Sequence, residues 1–172
     1  MGVEIERKFT VKELPHNLES YPVRIIEQGY LNVVPAIRVR REDDHYYMTY
    51  KVKKDFLKVS DHENDEIGKT EYNMPLDKES YEHLVLKADG NVIKKKRYIL
   101  PLNEDGFHDK AIGEKLKIEL DVFEGVFEGR ILAEVEFPDE ETASLYKPAD
   151  WFLDDVTGDV NYSNAHMSAE KL

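Results

Sequence analysis

Charged and apolar residues alternate along the first ten positions of the chain, and this alternation constrains the fold more than any other feature. Glu4, Glu6 and Lys8 fall on every second position, and apolar residues occupy most of the positions between them. Successive side chains of a β-strand point to opposite faces, so the three charges share one face. Taken alone, a strand of this kind usually turns its charges to solvent.

The pattern recurs in five further segments, with bases in the middle of the chain and acids nearer its ends. The alternating charged positions are Arg38 and Arg40, Lys51 and Lys53, Lys95 and Arg97, Lys115, Lys117, Glu119 and Asp121, and Glu134 and Glu136. A solvated surface does not require such an ordered mixture. A polyanion site with divalent metals does, because bases hold phosphates and carboxylates hold the metal.

The composition narrows the class of protein. With 172 residues the chain is expected to form one domain, with a helical C-terminal segment from about residue 159 to 172. The absence of cysteine excludes disulfides, zinc–thiolate sites and thiol nucleophiles. Neither a signal peptide pattern nor an apolar run of ~18 residues is present, so we expect a cytoplasmic protein without a membrane partner. The net charge of −12 argues against general nucleic-acid binding.

The hydrophobic periodicity and the turn and capping residues predict about eight strands, helices over roughly 78–87 and 139–146, and a final helix after Ser163. We therefore predict an α+β protein, mainly β, built as an eight-stranded antiparallel closed β-barrel with helices packed outside. A barrel of about eight strands has room inside only for side chains or one small ligand. Periodicity alone leaves open which face is inside. A charged lumen would have to be wet and hold ions, because burying an unpaired ion costs several kcal/mol.

Taken in order, the motifs resemble the CYTH superfamily, the triphosphate tunnel metalloenzymes, and in particular their short bacterial members. Glu4-x-Glu6-x-Lys8 resembles the N-terminal signature of this family. The resemblance continues over nearly the whole chain, through the segments 28–31, 37–40, 49–51, 95–98, 119–123, 133–137 and 155–164. The sequence departs from the pattern where Lys69 and Asn73 stand in place of an arginine and an acid.

The resemblance implies a tunnel with charges inside, a triphosphate substrate, and one or two Mg²⁺ or Mn²⁺ ions. The residues that it implies for triphosphate binding are Lys8, Arg38, Arg40, Lys51, Lys95 and Arg97, of which Lys8, Lys51 and Lys95 are also expected to act in catalysis. The implied metal ligands are Glu4, Glu6, Asp121, Glu134 and Glu136. Secondary candidates are Tyr30, Lys53, Lys69, Glu71, Lys117 and Glu119.

Inorganic tripolyphosphate is the expected substrate, because the short bacterial members resemble tripolyphosphatases and this substrate needs only charged contacts. The alternatives are a class IV-type adenylate cyclase, a thiamine or nucleoside triphosphatase, and a non-catalytic module that binds polyphosphate or nucleotide. The full set of acids favours catalysis, since binding alone requires only the bases. Ca²⁺ is expected to inhibit, because it would occupy the same oxygen ligands at longer distances. The oligomeric state stays open, with a homodimer as one option.

Overall fold

The structure is a computed structural model that describes residues 2–53 and 69–172. Its strands are β1 (Gly2–Val11), β2 (Val23–Asn32), β3 (Ala36–Glu42), β4 (His45–Lys53), β5 (Lys69–Leu76), β6 (Asp89–Pro101), β7 (Lys117–Glu124), β8 (Ile131–Phe137) and β9 (Phe152–Asp155). Its helices are α1 (Lys78–Val85), α2 (Lys110–Glu114), α3 (Glu140–Leu145) and α4 (Asn164–Ala169).

The strands form one sheet in the order β5-β4-β3-β2-β6-β7-β8-β1-β9. The N-terminal end of β1 also pairs with β5, with Gly2 opposite Glu71 and Glu4 opposite Lys69. This pairing closes strands β1 to β8 into an antiparallel barrel, which confirms the predicted fold class. The short strand β9 adds to the far end of β1, where Val11 lies opposite Phe152.

The described residues fall into two compact units. The first unit comprises residues 2–4, 26–53, 69–94 and 160–172, and the second comprises 5–25 and 95–159. Each unit contains its own group of charged strand positions.

In the first unit, helix α1 covers the apolar face of its strands. The helix begins where the sequence predicts, because the Ser80 backbone N–H donates to Asp77 Oδ1 at 2.7 Å and caps it. Gly29 on β2 permits a close approach: a Cβ at this position would lie 2.7 Å from the Ala88 Cβ. Since Gly29 faces this helical side, its neighbours Gln28 and Tyr30 turn to the opposite face.

In the second unit, the apolar face of β7 and β8 makes the hydrophobic core. Ile118, Leu120 and Val135 are buried there with Phe9 and Phe152, whose rings stack with centroids 4.6 Å apart. Each large apolar side chain buried in such a core contributes roughly 1.5–3 kcal/mol. Because the odd and even positions of β7 face opposite ways, Glu119 and Asp121 point away from this core.

Candidate functional site

The paired arginines of β3 lie on the charged face of the first unit, opposite β2. Antiparallel pairing sets Arg40 beside Gln28 and Arg38 beside Tyr30. Arg40 is 5% exposed, and its Nε donates to Gln28 Oε1 at 2.7 Å. Its Nη1 donates to the Tyr47 hydroxyl at 3.3 Å. Gln28 and Tyr47 thus help to hold the guanidinium, which as an arginine side chain is a cation.

Arg38 is the second cation of this face. Burial by itself lowers the pKa of Arg38, but Tyr30, Tyr47 and Glu71 outweigh the burial and raise its pKa. Arg38 therefore stays protonated. Its Nε atom is buried and has no hydrogen-bond acceptor among the residues that the structure describes. A buried donor of this kind fits an anionic ligand with several oxygen atoms.

Lys51 lies on the same charged face, between two acids. Its Nζ forms an ion pair with Glu4 and lies 3.8 Å from Glu71 Oε2. Asn73, which stands where the resemblance leads one to expect an acid, donates from Nδ2 to Glu71 Oε1 at 2.9 Å. Asn73 also accepts a hydrogen bond from Thr49 Oγ1 at 2.6 Å. The amide thus orients Glu71 without adding a further negative charge.

Asp121 is the centre of the charge cluster in the second unit. It is 1% exposed, and both of its oxygens accept from cations. Lys95 Nζ donates to Oδ2 at 2.6 Å, and Arg97 donates from Nε to Oδ1 at 2.7 Å and from Nη2 to Oδ2 at 2.9 Å. Burial alone raises the pKa of Asp121, but Arg97 and Lys95 lower it further than burial raises it. The carboxylate therefore stays ionised.

Arg97 and Lys8 link the remaining acids of this cluster. Arg97 Nη1 lies 2.6 Å from Glu119 Oε2, and Nη2 lies 3.9 Å from Glu134 Oε2. Lys8 Nζ lies 3.3 Å from Glu134 Oε1, across the β1–β8 pairing. Burial lowers the pKa of Lys8, but Glu134 and Glu6 raise it above its ordinary value, so Lys8 is a cation.

Glu6 and Glu136 lie directly opposite each other in the β1–β8 pairing. Like charges in directly opposed positions repel, and Lys8 offsets part of this repulsion, since Glu6 helps to raise the pKa of Lys8. Within residues 2–53 and 69–172, no three Asp, Glu or His side chains converge on one point.

Comparison with known proteins places the chain in a family. The family model described as CYTH domain matches residues 2–147. The chain belongs to the CYTH family. The matched range includes the charged positions of β1, β3, β4 and β6 to β8. These are the segments on which the resemblance to the family was based.

The curated relatives of this CYTH protein include two that are named inorganic triphosphatase. The one from Nitrosomonas europaea is 32% identical over 169 residues, which make up 96% of each chain. The one from Acetivibrio thermocellus is 31% identical over 169 residues and covers 97% of this chain and 94% of its own. A crystal structure of an inorganic triphosphatase is 30% identical, with a TM-score of 0.67, and covers 99% of this chain and 97% of its own.

Some of the predicted secondary site residues lie in the charge clusters, and others do not. Tyr30 and Glu71 lie beside Arg38, and Glu119 lies beside Arg97, so these secondary candidates join the charge clusters. Lys117, by contrast, is exposed at the first position of β7. The side chains of Lys53 and Lys69 lie outside the described residues. Among the described helices, none is long and apolar enough to cross a membrane.

Two polar residues of the first unit were missed by sequence reasoning. Gln28 and Tyr47 are both hydrogen-bonded to Arg40. Neither carries a charge, and Gln28 entered the resemblance only as part of the segment 28–31, without a role of its own. The position of Gln28 in β2 could have identified it, because residues two apart in a strand share a face and Gln28 lies two residues before Tyr30.

Proposed function

We propose that this protein hydrolyses inorganic triphosphate to pyrophosphate and orthophosphate with the help of a divalent metal ion. The observation that carries the proposal is the pair of arginines on one face of β3: Arg40, which is buried, and Arg38, which is half-buried with a buried Nε atom. They remain charged on a face that also holds Lys51, and Arg38 keeps a buried donor unmatched among the described residues. The curated relatives named inorganic triphosphatase support the same activity.

The basic residues are proposed to bind the phosphate oxygens. Arg38 and Arg40 suit this role because a guanidinium presents a planar fork of donors that matches a phosphate group. Lys8 and Lys51 would act as point charges, each held in place by a carboxylate partner. Phosphoryl transfer depends mainly on positioning and on charge stabilisation, so these cations would lower the barrier by stabilising negative charge as the phosphate bond breaks.

Arg97 and Lys95, the cations around Asp121 in the second unit, are proposed to have different roles. Arg97 is proposed to contact phosphate from its place between Glu119 and Glu134. Lys95 is fully buried against Asp121 and the Phe123 ring, with its Nζ 5.3 Å from the ring centroid. For Lys95 this enclosure favours a supporting role in catalysis, in which it compensates the charge of Asp121.

The acids are proposed to hold Mg²⁺ or Mn²⁺, as one ion or two. Glu6 and Glu136 are candidates because antiparallel pairing places the two acids directly opposite each other on β1 and β8. Glu4, Asp121 and Glu134 are also candidates, and each of these three would share its carboxylate between a lysine and the metal. When bound, the ion supplies charge neutralisation for the phosphate oxygens.

Replacing Glu136 with glutamine should raise the Mg²⁺ concentration needed for half-maximal activity by about tenfold, since the change removes one charged ligand. The metal-free protein should keep its melting temperature or gain a few degrees, because the repulsion from Glu6 is relieved. A Mg²⁺ titration of phosphate release, with thermal unfolding in EDTA, measures both effects. Glu128→Gln is the matched control, since Glu128 is exposed in the turn before β8. An unchanged Mg²⁺ requirement in Glu136→Gln would remove this residue from the metal site.

Ca²⁺ should compete with Mg²⁺ and should not support turnover by itself. The acids offer only oxygen ligands, which Ca²⁺ accepts at ~2.3–2.6 Å, whereas Mg²⁺ requires ~2.0–2.1 Å and a stricter geometry. A Ca²⁺ titration of tripolyphosphate hydrolysis at several fixed Mg²⁺ concentrations tests this expectation. Equal rates with Ca²⁺ alone and with Mg²⁺ alone would mean that metal geometry does not limit the reaction.

A substrate panel tests the choice of triphosphate. The purified protein is incubated with tripolyphosphate, ATP, thiamine triphosphate or a 5′-triphosphate RNA, each with Mg²⁺ and with Mn²⁺. We expect tripolyphosphate to give the highest kcat/KM, because it needs contacts only to phosphate. A higher value for thiamine triphosphate or ATP would reassign the substrate, and formation of cyclic AMP from ATP would reassign the reaction.

A further inference from the structure

Arg40 determines the orientation of the Gln28 side-chain amide. Its Oε1 accepts from Arg40 Nε at 2.7 Å, and a guanidinium can only donate. The amide oxygen must therefore face Arg40, and the amide nitrogen must point elsewhere. The amide oxygen and nitrogen of a glutamine can often be exchanged by rotating the amide group. Here the exchange would place the Gln28 NH₂ group against the Arg40 Nε–H, and both groups are donors.

The amide nitrogen of Gln28 is left with an unusual environment. Gln28 is 0% exposed, and its Nε2 finds no acceptor in the described ranges of the chain. Buried amide donors are nearly always hydrogen-bonded, and leaving one unmatched is costly. Gln28 lies at the centre of β2 rather than at a loop, so the position of this donor is fixed by the sheet.

A second unmatched donor lies on the neighbouring strand. Arg38 Nε is also buried without an acceptor among the described residues. Arg38 lies opposite Tyr30 and Arg40 lies opposite Gln28, so Gln28 and Arg38 are diagonal neighbours on one face of the β2–β3 pair. Two adjacent buried donors on a face that also carries Arg40 call for a ligand that only accepts hydrogen bonds and is negatively charged.

We infer that Gln28 is a substrate-binding residue, whose amide nitrogen donates to a phosphate oxygen of the triphosphate. Its other amide atom holds the Arg40 guanidinium by Nε. One side chain thus both contacts the substrate and orients a cation beside it. This inference rests on the proposed triphosphatase function and adds to it a neutral donor.

Two substitutions separate the two tasks of Gln28. Gln28→Glu keeps an oxygen that accepts from Arg40 but replaces the donor with a negatively charged oxygen. Gln28→Met removes both the acceptor and the donor while keeping the length of the side chain. Asn32→Asp is the matched control, because it makes the same amide-to-acid change on the same strand, at an exposed residue whose amide donates to the Pro35 carbonyl.

The experiment measures binding of tripolyphosphate by calorimetry in EDTA, together with KM and kcat in Mg²⁺. We expect Gln28→Glu to weaken binding and raise KM by at least about tenfold, and Gln28→Met to do so by about threefold to tenfold. In both variants kcat should change less than KM, and Asn32→Asp should remain within about twofold of the unmodified protein. Calorimetry reports on the folded protein directly, so a loss of stability in one variant leaves the other informative.

Two outcomes would overturn the inference, and they differ from failure of the function itself. If Gln28 only orients Arg40, then Gln28→Glu will bind tripolyphosphate normally and Gln28→Met will bind it poorly. If Gln28 is a passive core residue, both variants will bind within twofold of the unmodified protein. In either case the unmodified protein still hydrolyses tripolyphosphate. If the unmodified protein neither binds nor hydrolyses it, the proposed function fails and the inference fails with it.

Discussion

Replacing Asp121 with asparagine is expected to lower the free energy of unfolding by about 3–5 kcal/mol, the usual cost of removing one partner from a buried ion pair. Asp121 compensates both Lys95 and Arg97 through three hydrogen bonds of 2.6–2.9 Å. Asparagine has nearly the same shape but leaves two buried cations without their main counter-charge. Urea unfolding at neutral pH in EDTA measures the change.

Glu119→Gln is the matched control for this substitution. Glu119 Oε2 lies 2.6 Å from Nη1 of the same arginine, but the Glu119 side chain is 19% exposed, whereas that of Asp121 is 1% exposed. The control should lose less stability than Asp121→Asn, because water can reach Glu119 and Arg97 keeps Asp121 as its partner. Equal losses in the two variants would mean that Asp121 is not the centre of the cluster.

The pH dependence of stability gives a second reading of the same residue. The folded-state pKa of Asp121 is lowered, so its stabilising contribution is fully present above its unfolded pKa of about 3.9 and is lost as the pH falls through the lower folded value. Between these two values, the free energy of unfolding should fall less steeply with acid in Asp121→Asn than in the unmodified protein.

Replacing Arg40 with alanine is expected to reduce kcat/KM for tripolyphosphate by roughly 30-fold to several thousand-fold, which corresponds to about 2–5 kcal/mol for the loss of a buried charged contact. The loss should appear chiefly in KM, because Arg40 is proposed to bind phosphate before and during the reaction. Steady-state kinetics with Mg²⁺ measure it, and circular dichroism establishes that the barrel is folded.

Arg41→Ala is the control that the chain itself offers. Arg41 is the next residue along β3, is exposed, and donates from Nε to the Asp43 carbonyl at 2.8 Å. The two arginines have the same charge and lie on opposite faces of one strand, so they differ chiefly in the face they occupy. Arg41→Ala should stay within about twofold of the unmodified protein. Similar losses in both variants would show that charge in general, and not the buried face, handles the substrate.

The period of two residues indicated the strands of the barrel, and the family resemblance was needed to predict a charged lumen. Arg38 and Arg40 could be assigned to one face because Val39 between them is apolar, and Val39 is indeed buried. Alternation assigns a residue to one face of a strand, but it does not show whether the residue lies at the middle or at the end of that strand. Lys117 shares the parity of Glu119 but is exposed, because β7 begins at Lys117 itself.

Other features depend on information that a single strand does not contain. The alternating charges from Lys115 to Asp121 suggest one strand, whereas Lys110–Glu114 form α2, which Asp109 caps through the Ala111 backbone N–H. Lys115 is the C-terminal cap of this helix, and β7 begins only at Lys117. Likewise, only the register between strands reveals that Glu6 faces Glu136 and that Asp121 holds two cations, because neither partner is near in sequence.

Phosphorus NMR of tripolyphosphate mixed with the protein and Mg²⁺ tests the central claim most directly, because it observes bond cleavage and identifies the products. The account predicts that the tripolyphosphate signals disappear and that pyrophosphate and orthophosphate appear in equal amounts. It also predicts that EDTA stops the reaction and that Arg40→Ala slows it. Line broadening without any new phosphate species would show that the protein binds the polyphosphate and does not hydrolyse it, which would contradict the account.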